Sequence, residues 1–229
     1  MPRYFYMDWT YMLLIVLGLL AMLAQFNVKS TFAKYRRVQA QSGMTGAEAA
    51  RQMLDKAGLY DVRVMSIGGM LSDHYNPSDR TVCLSRDVHD GRSIASISVA
   101  CHECGHAIQH SKNYAPLALR TMFFPTANIG SSLGIPLFIA GLFFNLGFLT
   151  TLGIVLFSFA VAFQVITLPV EFDASRRALV QMNQHGFLSD AEQKPARKVL
   201  GAAALTYVAA TAVAIANLIR LIVMSRRRD

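Results

Sequence analysis

Residues 93–113 read SIASISVACHECGHAIQHSKN, and inside them His102-Glu103-Cys104-Gly105-His106 forms an H-E-x-x-H pattern. On a helix, residues four apart share a face, so His102 and His106 can both reach one metal ion. Glu103 lies one position on and points to the side where an attacking water would sit. Two neutral imidazoles suit Zn²⁺, and a neighbouring carboxylate can take the proton of that water. The spacing works only on a helix, and the local sequence favours one. Ser93 can cap it, and Ile94, Ile97, Cys101, Cys104 and Ile108 recur at three- and four-residue steps as an apolar stripe. The same short pattern also occurs on metal-free helices with two surface histidines, so the rest of the chain must decide.

Apolar residues make up 53% of the 229 and charged residues only 16%, with mean hydropathy +0.35. The apolar residues cluster in long runs, which predicts an integral membrane protein. The net charge of +8 does not point to nucleic acid, because Lys and Arg mostly flank the apolar runs, where they anchor and orient helices. Three cysteines show no framework spacing. Cys101 and Cys104 form a C-x-x-C, but the following His comes one residue too late for c-type haem attachment, and packing around the helix explains both.

Residues 9–28 are long and apolar enough for a first transmembrane helix, with Trp9, Tyr11 and the nearby Tyr4 and Tyr6 as an interfacial belt. A cleaved signal peptide fits less well, since no small-x-small site ends the run. Lys29, Lys34, Arg36 and Arg37 follow and place this end in the cytoplasm by the positive-inside rule. Residues 29–116 read as a small α+β domain. Thr45-Gly46-Ala47-Glu48 is a capping box, and Gly58 ends that helix. Val62, Val64 and Ser66 alternate like a strand, residues 72–77 (SDHYNP) read as a loop, and residues 80–85 (RTVCLS) alternate as a second strand. That second strand is a candidate partner for an extended substrate.

From Met122 to Pro169 nothing is charged, so two further spans are expected at 122–143 and 148–168, turning at Asn145-Leu146-Gly147. Pro125 and Pro136 fall inside the first of these and predict kinks. A hairpin returns the chain to the side it left, which brings Glu171 back to the face of His102 and His106. It reads either as a third metal ligand or as an interfacial charge beside Arg176 and Arg177. Residues 169–198 are expected to form a helix and then a polar loop. Residues 199–224 make a fourth helix, crossing or embedded in the membrane, with Arg220 snorkelling near its end. Both termini would then lie opposite the zinc domain, and the basic tail Arg226–Arg228 conflicts with a cytoplasmic zinc domain. The four positive residues in 29–37 and five in 176–198 still favour the cytoplasmic side.

Taken together, the TGAEAARQMLDKAG helix, GGMLSDHYNPSDRTVCLS, SIASISVACHECGHAIQH, YAPLALR and LPVEFDASRRAL resemble the bacterial YugP-type membrane zinc metallopeptidases over nearly the whole length. More distantly the chain is similar to the HtpX-type and CaaX-prenyl-protease-type membrane metalloproteases, whose third zinc ligand is a Glu on a later helix. The resemblance implies a multi-span, mainly α protein with a small α+β zincin-like domain of gluzincin type. It implies one Zn²⁺ per chain, held by His102, His106 and Glu171, with Glu103 as general base. Those relatives usually place an Asp four residues after the ligand Glu to hold a zinc histidine, and here that place is Ser175, with Asp173 two residues earlier. Either could orient an imidazole.

The expected activity is peptide-bond hydrolysis at the face of the bacterial cytoplasmic membrane, on a peptide or membrane-protein substrate. His74, Tyr75, Arg176 and Arg177 are candidate oxyanion donors. His74 reads equally well as a solvated loop histidine. His110 continues the face of His106, but three ligands stacked over two turns converge poorly on one ion. His89 and His185 have no constellation around them. The rival reading is a non-catalytic membrane scaffold with a structural or vestigial zinc site. A transporter is disfavoured because Arg220 is nearly alone as an ionisable group in the spans.

Overall fold

The computed structural model describes residues 9–226, so Tyr4, Tyr6, Arg227 and Arg228 lie outside the described residues. The elements follow in the order α1 (Trp9–Tyr35), α2 (Gly46–Lys56), β1 (Arg63–Ile67), β2 (His74–Asn76), β3 (Thr81–Ser85) and α3 (Arg86–His89). Then come α4 (Ile94–Ser111), α5 (Ala115–Phe143), α6 (Gly147–Gln184) and α7 (Asp190–Arg226). The chain is thus mainly helical with one small sheet. Among the described residues, α1, α5, α6 and α7 are long and apolar enough to cross a membrane.

Two compact units divide the chain. The first takes Met1–Gln25, Leu119–Leu168 and Thr206–Asp229. Its core includes Phe138, Phe157, Val161 and Leu221, while Leu23, Ile139 and Phe148 are exposed, as helices facing lipid require. Small residues let α5 and α6 approach: a Cβ built on Gly153 would sit 2.6 Å from the Gly134 carbonyl oxygen. The turn between them runs through Asn145, whose φ of 58° is the left-handed conformation that Asn tolerates. Pro125 and Pro136 both lie inside α5. Arg220 stacks its guanidinium 3.5 Å from the centroid of the Tyr11 ring, so an aromatic face receives the charge that snorkelling alone was expected to handle.

The second unit takes Phe26–Ala118 and Pro169–Leu205. Met53, Leu54, Val82, Leu84, Ile94, Ile97, Met182 and Phe187 form its core. Thr45 and Glu48 make the reciprocal capping box at α2, and Gly58 follows that helix with φ 75°. The sheet order is β1-β3-β2, with β1 parallel and β2 antiparallel to β3. This corrects two expectations. Residues 74–76, read as loop, form a strand in register with β3, His74 opposite Cys83. Thr81–Cys83 are paired on both sides and Leu84–Ser85 with β1, and all but Cys83 are buried, so the strand lies inside the sheet rather than at an edge a substrate could join. A three-residue strand is too short for alternation to reveal.

The polar stretch expected as loop through residue 198 is helical except at 185–189. Glu192 explains the early start of α7: its Oε2 accepts from both the backbone N–H and the hydroxyl of Ser189, at 2.8 and 2.9 Å. That is half of a capping box which the polar composition concealed.

α4 is held by its neighbours on two sides. Ser93 caps it by accepting from the Ser96 N–H at 3.0 Å. The strand-like segment after α1 ties its start, with Ala40 N–H donating to the Arg92 carbonyl and Ile94 N–H to the Val38 carbonyl. On its other side, Gly105 lies against the backbone of α6. A Cβ there would come 2.6 Å from the Ala174 carbonyl oxygen and 3.1 Å from the Ala174 Cα. The obstacle is backbone, which cannot swing aside. Gly105→Ala is therefore expected to destabilise the second unit by about 1–3 kcal/mol despite alanine's better helix propensity. A thermal melt read by a thiol-reactive dye on the buried Cys101 and Cys104 checks this; an unchanged or raised Tm would mean that the approach is not tight.

Candidate metal centre

His102 and His106 sit one turn apart on α4, and Glu171 stands on α6 two residues after Pro169. Glu171 Oε2 lies 3.3 Å from His102 Nε2 and 3.6 Å from His106 Nε2. One potential ligand atom from each of the three lies within 4.8 Å of the others. Glu171 and His106 are buried, and the His102 side chain is only 13% exposed. The two imidazoles meet edge to face, 4.8 Å between centroids, so both Nε2 atoms can turn toward one point. Two imidazole nitrogens and one carboxylate oxygen are a donor set that suits Zn²⁺, and with three protein donors a position stays open for water or substrate.

Glu103 is buried on the same helix. Burial pushes its carboxyl above the ordinary carboxylate range, only partly opposed by the nearby His102 and His106. A carboxylate with a raised pKa beside a metal site is suited to accept a proton. At His106, burial disfavours the charged ring, yet the Glu171 carboxylate prevails and the net shift is upward. Asp73, between the strands, is raised by burial and held by the backbone N–H and the hydroxyl of Ser85 at 2.7 and 3.0 Å.

The outer contacts differ between the two residues that the sequence left open. Ser175 Oγ lies 3.1 Å from His102 Nδ1, so the residue standing where relatives carry Asp does contact an imidazole. Asp173 contacts neither ring. It accepts from Gln109 Nε2 at 2.9 Å, and Arg176 and Arg177 each hold it at 2.5 Å. Gln109, which sequence reasoning missed, has its Oε1 3.0 Å from His106 Nδ1. Its spacing, three positions after His106, puts it near the face of that histidine, but only the cover of α6 sets it apart from any helical glutamine.

The remaining candidates are engaged elsewhere. His74 is exposed, with its Nδ1 2.8 Å from the Ser72 carbonyl. The Tyr75 hydroxyl pairs with His110 Nδ1 at 2.9 Å. Arg176 and Arg177 are committed to Asp173, and Arg177 also lies over the Tyr114 ring. His89 pairs with Asp90 and His185 with Gln181. Cys104 is buried with its thiol toward the Ala50 carbonyl, in keeping with a packing role.

If the three donors hold zinc, Glu171→Ala should weaken zinc binding by more than the roughly 10–100-fold that losing an outer partner costs. Chelator competition on the purified chain measures this, and unchanged affinity would remove Glu171 from the ligand set.

Comparison with known proteins agrees with this chemistry. The family described as "Putative neutral zinc metallopeptidase" matches residues 10–226. The "Putative membrane protease YugP" of Bacillus subtilis (strain 168) is 52% identical over 201 residues, covering 88% of this chain and 89% of that protein. No solved structure matches the chain. A match over nearly the full length, including the helix with the histidines and the helix with Glu171, means that the chain belongs to the "Putative neutral zinc metallopeptidase" family.

Proposed function

We propose that the chain is a zinc-dependent endopeptidase of gluzincin type that cleaves peptide or membrane-protein substrates at the cytoplasmic face of the bacterial membrane. The observation that carries this reading is the buried convergence of His102, His106 and Glu171, with Glu103 next to the first ligand. A zinc ion held by those three residues would polarise the scissile carbonyl and acidify the water that attacks it. Glu103 then accepts a proton from that water and passes it to the leaving amine nitrogen, and its burial-raised pKa fits both steps. His102, His106 and Glu171 serve as ligands and need to stay deprotonated to do so.

An extended peptide needs a strand edge. β2 pairs only with β3 among the described residues and packs beside α4, so it takes the substrate-pairing role that was first considered for residues 80–85. Action at the membrane face is supported by the sequence, in which Glu171 is the first charged residue after the long uncharged stretch that runs from Met122 through Pro169. The cytoplasmic side is supported by the basic residues of 29–37 and 176–198.

The scaffold reading would call for a closed site, usually four protein ligands and often thiolates. The group found here has three members, and none is a cysteine. Glu103→Gln keeps the shape of the side chain but cannot accept the proton. Cleavage of a denatured protein substrate by this variant should fall by at least about 100-fold while zinc stays bound. Wild-type turnover in Glu103→Gln would reject the mechanism.

A further inference from the structure

Gln109 is fully buried, and its amide lies between His106 and two acceptors. Nε2 is 2.8 Å from the Val170 carbonyl oxygen and 2.9 Å from Asp173 Oδ2. The carbonyl can only accept. The Asp173 carboxylate also accepts, since Arg176 and Arg177 each contact it at 2.5 Å and hold it ionised. The amide must therefore turn its NH₂ toward that pair and its oxygen toward His106 Nδ1, 3.0 Å away. An amide oxygen has no proton to give, so Nδ1 has to be the donor. The neutral His106 ring then keeps its lone pair on Nε2, the atom that faces Glu171.

We infer that Gln109 is a positioning residue that fixes the tautomer of His106 through an Arg176/Arg177–Asp173–Gln109–His106 chain, and so presents Nε2 to the metal. The inference rests on the proposed ligand role of His106. The two histidines are held differently. Ser175 contacts His102 Nδ1 through a hydroxyl, which donates or accepts equally well and selects no tautomer. Gln109 has no such freedom, because two acceptors behind it set the direction of every bond. A carboxylate placed directly on a zinc histidine does the same work in one step; here the carboxylate stands one residue further back and an amide relays its polarity.

The test uses the full chain in detergent, with zinc affinity by chelator competition and the visible spectrum after cobalt substitution. Gln109→Met removes the acceptor at similar volume and should weaken zinc binding about 10–100-fold and alter the cobalt spectrum. A second readout is the ¹⁵N spectrum of histidine-labelled, metal-free wild type at alkaline pH, where the neutral His106 ring should carry its proton on Nδ1 and a free lone pair on Nε2. Ser175→Ala should lose less than Gln109→Met. Wild-type affinity and spectrum in Gln109→Met would overturn the inference while leaving the metal site intact. A neutral His106 ring protonated on Nε2 in the wild type would also overturn it, assigning Gln109 to packing. If Gln109→Met does not fold, the wild-type ¹⁵N spectrum decides alone: a proton on Nδ1 of the neutral His106 ring supports the relay and a proton on Nε2 refutes it. Absence of zinc binding in the wild type would bring down the ligand reading itself, and this inference with it.

Discussion

The closeness of α4 and α6 at Gly105 and Ala174 governs the candidate site. Glu171 reaches two imidazoles on another helix because a side chain is missing between the two backbones, and a Cβ at Gly105 would sit 2.6 Å from the Ala174 oxygen. The same contact places the next residue, Ser175, against His102, and Val170 against Gln109. The x-position glycine of the H-E-x-x-H motif is thus as much a part of the candidate site as the histidines beside it. It determines how far a carboxylate from a distant stretch of chain must extend.

Bringing helices this close buries polar groups, and an unpaired buried carboxylate or amide is costly. Among the described residues, every buried side-chain nitrogen or oxygen has a partner. Asp173 is held by two arginines and Gln109, Asp73 by Ser85, and Glu171 by the two imidazoles. The stretch after Pro169 therefore has two roles: one face supplies Glu171 and Ser175, a turn apart, to the histidines, and another supplies Asp173 to the polar chain behind them. A rigid, fully bonded surround is what a site needs if its donors are to hold their geometry without a ligand to organise them.

Much of this was readable from residue types and spacing. Long apolar runs pointed to the four apolar helices, and the capping box at Thr45 and the cap at Ser93 placed α2 and α4, because these signals are local in sequence. Glu171 was readable only by combining hairpin topology with resemblance, since it is 69 residues from His102. What escaped notice depends on tertiary packing. β2 is three residues long and becomes a strand only by pairing with β3. Gln109 resembles any helical glutamine until α6 covers it. The start of α7 was hidden in a charged stretch whose Ser189 and Glu192 form a cap. Arg176 and Arg177, considered as oxyanion donors, turned out to serve the carboxylate one turn before them, as the three- and four-residue spacing allows.

The most direct test of the proposed centre is zinc K-edge X-ray absorption on the zinc-loaded chain in detergent. Nearest neighbours that are all nitrogen or oxygen at about 2.0–2.2 Å are predicted, with outer scattering from two imidazole rings. A sulfur neighbour at about 2.3 Å, or scattering from three or more imidazoles, would contradict the His102–His106–Glu171 assignment.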